Sequence, residues 1–319
     1  MIRSILVPVD GSPLAESALA VACAIARQHH RARVEAVSVF ASPLDPPRGP
    51  TAPGWSAQRV TEDLAANARA YTAHLAERLA SLGGGLTTSA TALDGRPAET
   101  LVERARTAPH DLIVMTTHGH SGLSRFWLGS VADRVVRQSP VPVLLIRDAG
   151  GEGARAAAPP YTDVLVPIDD DGVSEQVIPL VLSLAGPGVR LHLLHVVVPS
   201  RLLPTHSVLP VEEVAAERAT PPDVVGVARD AARRYLDRLA TSYARTGLNV
   251  RTQVVVDAHP AGAILTIARG SGAQLIGLAS RGRHEATRFL LGSVSDKVLR
   301  SADVPVLVVP PAALAARST

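Results

Sequence analysis

The sequence predicts an α/β protein of two tandem, doubly wound domains, each with a five-stranded parallel sheet flanked by helices. Two observations carry this prediction. Short runs rich in Val, Ile and Leu alternate with Ala-rich segments of helical spacing, as expected for parallel strands covered on both faces. A glycine loop also occurs twice, at an offset of 163 residues (282−119 and 292−129): Gly119, nine residues and Gly129-Ser130, then Gly282, nine residues and Gly292-Ser293.

Other matched segments extend the repeat over both halves. Residues 5–10 recur as residues 164–169, and Pro-Val-Leu occurs at residues 142–144 and again at 305–307. We therefore place one domain at residues 1–147 and the second at residues 161–311. Residues 148–160, rich in Gly, Ala and Pro, are the expected linker.

The elements of the first half follow from apolar periodicity and from Gly and Pro. Apolar runs predict strands at residues 2–9, 34–40, 86–93, 111–115 and 141–146. Helical spacing predicts helices at residues 14–29, 61–82, 97–107 and 130–138. The three glycines from Gly83 end the second helix, and Pro97 suits the first turn of the third. The second half repeats this order, with strands near Val164, Val189, Asn249, Gln274 and Val304.

Length and composition exclude several classes of protein. The 319 residues accommodate two domains of about 150 residues, each large enough to fold without disulfides or metal. The net charge is only +3 without a basic block, so nucleic-acid binding has no support. Cys23 is the single cysteine, which excludes an intrachain disulfide. No apolar stretch approaches the roughly 20 residues of a membrane span, so we expect a cytoplasmic protein without a membrane partner.

The repeated glycine loop is the first candidate site. In each copy the first glycine follows the fourth strand, and the Gly-Ser pair opens a helix. Unpaired amides and the helix dipole attract anions to a helix N-terminus, and glycine lets the backbone approach an oxygen closely. The alternative is a capping box, with each Ser as N-cap and an Asp three residues later. The spacing leaves both open, while the glycine ahead of each loop favours phosphate binding.

A carboxylate ends the first strand of each half, at Asp10 and at Asp169. Because ligands of doubly wound sheets bind beyond the carboxyl ends of the strands, these residues are expected near the glycine loops. Each could bind ribose hydroxyls or hold a divalent cation against phosphates. The alternative for Asp10 is an Asx-turn or a helix cap within Asp10-Gly11-Ser12-Pro13.

These motifs together resemble the universal stress protein family. The resemblance rests on residues 7–12, on both glycine loops and on the Pro-Val runs at residues 140–143 and 304–307, and it covers nearly the whole chain. It implies the strand order 3-2-1-4-5 and, in the nucleotide-binding branch, ATP with Mg²⁺ as a further candidate. By that analogy the aspartates face ribose or metal, two strand-end valines present backbone to adenine, and the loops hold phosphates: Asp10, Asp169, Val39, Val196, Gly119, Gly129, Ser130, Gly282, Gly292 and Ser293.

Two departures from the family pattern affect these sites. The family loop begins with an additional glycine three residues earlier, where this chain has Thr116 and Ala279, and a Cβ there narrows the approach to the ligand. The second half has Asp170-Asp171 after its strand-end Asp. Two more carboxylates near a triphosphate are repulsive unless a cation lies between them. We therefore expect the first half to bind ATP more tightly.

The sequence gives little support for catalysis. Thr117-His118-Gly119-His120 is similar to the His-x-Gly-His signature of nucleotidyltransferases, but its first His is missing and it follows the wrong strand. Without an identifiable general base or arginine finger, ATP hydrolysis is expected to be slow at most. The implied role is a regulatory or sensing module in the stress response. Two alternatives stay open: a scaffold with vestigial sites that acts through protein partners, and an enzyme of the wider adenine-nucleotide α-hydrolase-like group.

The last strand of each half is an apolar run that would form a sheet edge. Bare apolar edges invite strand pairing. We therefore expect the halves to join through these strands as an intramolecular pseudo-dimer, while association of whole chains into a homodimer is left open.

Overall fold

The computed structural model describes residues 2–29, 32–40, 57–117, 128–147, 159–169, 172–199, 223–280 and 291–315. The strands are β1 Ser4–Val9, β2 Arg33–Phe40, β3 Thr87–Asp94, β4 Leu112–Thr116, β5 Val143–Ile146, β6 Tyr161–Pro167, β7 Ala185–Val197, β8 Asn249–Val256, β9 Leu275–Ala279 and β10 Val306–Val309. The helices are α1 Pro13–Gln28, α2 Ala57–Gly83, α3 Pro97–Thr107, α4 Ser130–Gln138, α5 Ile178–Leu184, α6 Val224–Ala244, α7 Pro260–Ser271, α8 Ser293–Ser301 and α9 Pro311–Ala315.

The ten strands form one sheet in the order β3-β2-β1-β4-β5-β10-β9-β6-β7-β8. Within each half the strands are parallel, and their order is 3-2-1-4-5 when each half is numbered separately. The second half mirrors the first, with the same strand neighbours and with a register shift between Tyr161 and Asp163 in the pairing of β6 with β7. The predicted fold class and strand order are confirmed. Each predicted element of the first half is present, with ends within four residues of the prediction.

Two apolar layers cover the sheet, one on each face. On one face the strands pack against α1, α5 and parts of the long helices α2 and α6, with Leu19 and Leu75 fully buried. On the other face they pack against α3, α4, α7 and α8. Strand β1 is buried along its whole length, which explains its continuous apolar sequence. Because helices cover both faces of the sheet, the carboxyl ends of the strands are the place where a ligand site can form.

The two half-sheets are joined by the antiparallel pairing of β5 with β10. Leu144 lies opposite Leu307 in this register, and both side chains are buried. The expected pairing of the two apolar edges is thus present within one chain. Across the same junction, Arg137 on α4 pairs with Asp133 at 2.8 Å and lies 3.4 Å from Asp296 on α8. Arg300 pairs with Asp296 at 2.8 Å and lies 3.5 Å from Asp133.

The second half departs from the first after its first strand. Where α1 has 16 residues, the second half has a 3-10 turn at Ser174–Val177 followed by the seven residues of α5. Strand β7 then begins at Ala185, earlier than the strand predicted near Val189. The short helix α9 was not predicted. Apart from Pro159 and Pro160, the predicted linker lies outside the described residues. Among the described helices, none has the length and hydropathy of a membrane span.

Candidate functional site

A cavity of about 280 Å³ lies in the first half, beyond the carboxyl ends of β1, β2 and β4. Asp10 lines it from the end of β1, Val39 from β2 and Thr116 from β4. Gly129 and Ser130 line it from the start of α4. Residues that are separated by more than 100 positions in the sequence therefore meet at one point. This is the switch in strand order, where ligands of such sheets bind.

The second half has a cavity of about 150 Å³ at the equivalent place. Asp169, Val196, Ala279, Gly292 and Ser293 line it. The two cavities occupy equivalent positions in the two half-sheets, because the strands around them pair in the same way: Ile5 pairs with Val34, and Val164 pairs with Leu191. Eight of the ten predicted site residues thus line the two cavities. The other two, Gly119 and Gly282, lie outside the described residues, as do His118 and the Asp170-Asp171 pair.

Asp10 belongs to the turn that connects β1 to α1. Its Oδ1 accepts hydrogen bonds from the Ser12 amide at 3.0 Å and from the Ser12 hydroxyl at 2.6 Å. Ser12 is in turn the N-cap of α1, since its Oγ accepts from the Ala15 amide at 3.1 Å. Gly11 takes a φ of 86°, a left-handed conformation that favours glycine. The Asx-turn and the cavity position therefore coexist: one carboxylate oxygen fixes the turn that presents Asp10 to the cavity.

The corresponding turn of the second half is held differently. The Asp169 amide donates to Ser174 Oγ at 2.8 Å, and the Ser174 hydroxyl lies 3.2 Å from the Asp169 carbonyl oxygen. Ser174 also lines the second cavity. A side chain five residues further along therefore holds the backbone of Asp169.

The capping-box alternative for the two serines is wrong. Gly129 and Gly292 are the N-caps of α4 and α8, without a side-chain cap bond, and the serines occupy the first helical position. Both serines are exposed. The two aspartates of the proposed boxes, three residues after each serine, bind the arginines of the junction between the halves instead. The helix N-termini that face the cavities therefore have extended glycine backbone and an exposed hydroxyl, which suits an anion.

The described residues on either side of the segment 118–127 are held by backbone hydrogen bonds. The Gly129 amide donates to the Thr117 carbonyl oxygen at 2.8 Å, and the Thr117 amide donates to Ile146 at 3.1 Å. Thr116 and Thr117 are both buried. The end of β4 and the start of α4 are therefore held together beside the cavity, which Thr116, Thr117 and Gly129 line.

The sequence did not reveal a tyrosine–glutamate pair beside each turn. In the first half the Tyr71 hydroxyl donates to Glu16 Oε1 at 3.0 Å, and Arg78 lies 3.1 Å from Glu16 Oε2. In the second half Tyr235 donates to Glu175. Each glutamate stands six residues after its strand-end aspartate, and each tyrosine lies on the long helix. The recurrence of Glu and Tyr at these places was the available signal, but the contact needs the fold.

Burial is the main cause that raises the pKa of Tyr71 well above its ordinary value, and the bond to Glu16 raises it further. The amide of Gly11 acts in the opposite direction and Asp10 in the same one, which shows that the phenol lies close to the turn. Tyr71 is therefore a neutral hydrogen-bond donor at any physiological pH. His195 lines the second cavity.

The donor groups of each cavity suit a phosphorylated ligand better than a bare metal ion. Asp10 is the one carboxylate among the described lining residues of the first cavity, and Asp169 has that place in the second. The described part of the chain holds no group of three or more His, Cys, Asp or Glu side chains arranged for a metal. Magnesium ions are commonly held by one or two carboxylates together with phosphate oxygens. One aspartate per cavity fits that arrangement when the phosphates come from the ligand.

Comparison with known proteins agrees with this architecture. The model of the universal stress protein family matches residues 1–147 and 160–310. A universal stress protein of Mycobacterium tuberculosis is 32% identical over 213 residues, which cover 66% of this chain and 65% of that protein. The match therefore spans somewhat less than two thirds of that relative. A universal stress protein of Thermus aquaticus is 33% identical over 147 residues, 46% of this chain and 100% of that protein.

Solved structures show the same fold over nearly the full length. A universal stress protein from Archaeoglobus fulgidus has a TM-score of 0.67 at 18% identity, and 96% of each chain is covered. A second structure, a putative universal stress protein from Pseudomonas aeruginosa, has a TM-score of 0.61 at 17% identity, covering 99% of this chain and 96% of that one. With both halves matched by the family model, the chain belongs to the universal stress protein family as a tandem two-domain member.

Proposed function

We propose that this protein binds ATP in both cavities and acts as a regulatory or sensing module of the stress response. The observation that carries the proposal is the recurrence of one constellation at two equivalent places. In each, a strand-end aspartate, a half-buried valine and the Gly-Ser start of a helix line a single cavity. A site of this composition offers a carboxylate, the backbone at a strand end and a positive helix terminus, which match ribose, adenine and phosphates in turn.

Each group has a defined part in this proposal. The amides that begin α4 receive the phosphates, because they have no partner within the helix and stand at the positive end of its dipole. Asp10 binds ribose hydroxyls or a Mg²⁺ ion that the phosphates bring with them. The backbone at Val39 faces adenine. In the second half the start of α8 at Ser293 has the corresponding place for the phosphates, Asp169 for ribose or Mg²⁺, and the backbone at Val196 for adenine.

The exposed serines allow a test that separates binding from folding. We expect Ser130→Glu and Ser293→Glu each to remove one bound nucleotide, because the new carboxylate repels the phosphates. An acid in the first turn is favourable to a helix, so the fold should persist. Val224→Glu is the matched control, since it places the same charge at the start of α6, away from both cavities. Calorimetric titration of the full chain with Mg-ATP should give two sites for the control and one for each serine variant.

A result of no binding in the parent protein would overturn the proposal. Mass spectrometry of material released by denaturing gently purified protein gives an independent answer. Adenine nucleotide in that material supports the module, whereas an empty protein that also fails to bind added ATP favours a scaffold with vestigial sites.

We further propose that the first cavity binds ATP more tightly than the second. The first cavity is the larger, at about 280 Å³ against about 150 Å³. The sequence of the second half also adds two carboxylates directly after Asp169, and their charge opposes a triphosphate. Titration of Ser293→Glu reports the first cavity and titration of Ser130→Glu the second. Equal affinities in the two variants would contradict this asymmetry.

Hydrolysis is proposed to be slow. The described lining residues of either cavity include no lysine or arginine that could stabilise a transferring phosphoryl group. They also include no second carboxylate beside the strand-end aspartate. Release of phosphate from ATP by the full chain, followed over hours, should therefore be far below one turnover per second.

A further inference from the structure

We propose that Tyr71 is a positioning residue of the first cavity, which acts by holding Glu16 and the adjoining turn that presents Asp10. This inference rests on the proposed function and extends it, because it assigns part of the affinity for a phosphorylated ligand to a residue outside the cavity lining. Tyr71 lies on α2, whereas the turn and Glu16 belong to the segment from β1 into α1.

The contacts form a continuous path from α2 to the aspartate. The Tyr71 hydroxyl donates to Glu16 Oε1 at 3.0 Å. The Glu16 amide donates to the Ser12 carbonyl oxygen at 3.1 Å, within the first turn of α1. The Ser12 amide and hydroxyl donate to Asp10 Oδ1. Two residues, Glu16 and Ser12, therefore connect the Tyr71 side chain to the Asp10 carboxylate at the cavity.

Charge is the second part of the inference. Glu16 is only 8% exposed, so its negative charge is costly unless donors surround it. Tyr71 supplies one donor, and Arg78, whose side chain is 45% exposed, supplies the other. Glu16 directly follows Ala15, which lines the first cavity. Loss of the phenol hydroxyl would leave that charge less compensated and the turn less constrained, and both effects oppose a phosphorylated ligand.

The second half repeats the arrangement on a different backbone. Tyr235 donates to Glu175, although the long α1 is replaced there by a 3-10 turn and a short helix. The sequence Asp-Gly-Ser that follows β1 is also replaced there, since Asp169 is followed by Asp170-Asp171. A Tyr–Glu pair that is present in both halves, while the elements around it differ, is better explained by a shared task at the cavity than by packing of one particular helix.

The test uses the full chain with Ser293→Glu as background, so that only the first cavity is titrated with Mg-ATP. We expect Tyr71→Phe to weaken binding several-fold, on the order of fivefold, because one hydrogen bond to a charged group is lost. Adding Glu16→Gln should restore most of the affinity, since the uncompensated charge is then gone. A merely structural role predicts the opposite, because the second substitution would add damage. Tyr243→Phe, on the other long helix, is the control.

The outcomes are distinct. Unchanged affinity in Tyr71→Phe, or a further loss in the double variant, would overturn the inference even though ATP binds. An equal loss in Tyr243→Phe would also overturn it, because the effect would then be general. Failure of the Ser293→Glu parent to bind ATP would instead overturn the proposed function, and the inference with it. Thermal unfolding of each variant shows whether a loss of affinity comes from a loss of fold.

Discussion

Glu35 is a buried carboxylate of the first half, near the amino end of β2 and so at the end of the sheet opposite the cavity. Arg104 donates to its Oε1 at 2.7 Å, Thr91 donates to the same oxygen at 2.9 Å, and His110 Nε2 lies 3.0 Å from Oε2. Ser4 Oγ lies 3.0 Å from the other ring nitrogen of His110. Ser4, Glu35 and His110 lie at or near the starts of β1, β2 and β4, whereas Thr91 lies within β3 and Arg104 on α3. Ser4 and His110 are buried. The Ser–His–Glu series is thus a structural network within the core.

The network makes a prediction for stability against pH. Burial alone would raise the pKa of Glu35, but hydrogen bonds from His110, Arg104 and Thr91 outweigh it and lower the pKa from 4.5 to about 2. A folded-state pKa below the unfolded one stabilises the protein above pH 4.5, and this contribution is lost as the pH falls toward 2. The lowering corresponds to roughly 3 kcal/mol at neutral pH.

We therefore expect Glu35→Gln to lower the free energy of unfolding by roughly 2–3 kcal/mol at pH 7 and by much less near pH 2. Urea unfolding at both pH values measures the difference. Glu103→Gln is the control, because Glu103 pairs with Arg106 at the surface and both side chains are more than half exposed. Such pairs contribute about 0–1 kcal/mol. An equal loss for Glu35→Gln at both pH values would contradict the assignment.

Among single residues, the sequence predicted those whose position follows from a nearby strand end or helix start. Asp10 and Ser130 could be found because a strand end and a helix start are visible in the apolar pattern. The role of Ser130 was left open between cap and ligand, and only backbone geometry shows that Gly129 is the cap. The partners of Glu35 lie 56 to 75 residues away in the sequence. No local pattern indicates such contacts, so this network and Tyr71 were not predicted.

Gly277 explains how the second half accommodates its different first helix. It lies in the middle of β9, where the first half has Val114 in β4. A Cβ at Gly277 would overlap a methyl group of Val181 on α5 and come within 2.8 Å of Val177. The 3-10 turn and α5 therefore pack closer to the sheet than a side chain would permit.

We expect Gly277→Ala to destabilise the protein by about 1–3 kcal/mol, since the added methyl overfills a packed core. Gly270→Ala is the matched control, because Gly270 lies in α7 and a Cβ added there would have no atom within 4 Å. That substitution should be neutral or stabilise by about 0.5–1 kcal/mol. Thermal unfolding of the two variants compares them directly, and equal melting temperatures would count against close packing at Gly277.

Among the elements, the predicted helix ends were most accurate where a proline or a run of glycines marks the end. The helix α3 begins and ends as predicted, since Pro97 fixes its first turn. The long helix α2 ends at Gly83, the first of three glycines, of which the next two take positive φ. The second half was predicted by analogy with the first, so the short α5 and the early start of β7 at Ala185 were missed. The close packing of the 3-10 turn and α5 on Gly277 is a tertiary contact, which repetition of the pattern does not reveal.

The two halves of the molecule share one sheet, so each supplies part of the other's core. Leu144 and Leu307 lie opposite each other at the junction, at 0% and 1% exposure. We expect Leu144→Asp and Leu307→Asp to cause misassembly, because an unpaired carboxylate would be buried in the centre of the sheet. Size-exclusion chromatography with light scattering should show aggregates or expanded chains. Val227→Asp, at a residue 63% exposed, should leave the profile unchanged, and compact monomers of both leucine variants would contradict the prediction.

The duplicated sequence predicted two parallel five-stranded halves and the pairing of their apolar edge strands, and the family resemblance implied the strand order. It did not reveal how far the halves diverge. The first turn is held through Asp10 and Ser12, the second through Ser174. That difference arises from a few substitutions after the first strand, whose consequences appear only in three dimensions.

The most direct test of the account is a crystal structure of the full chain grown with excess ATP and Mg²⁺. We expect a nucleotide in each cavity, with phosphates at the starts of α4 and α8 and with Asp10 and Asp169 at ribose or metal. Two vacant cavities at saturating nucleotide would show that the two halves are not built to bind a triphosphate.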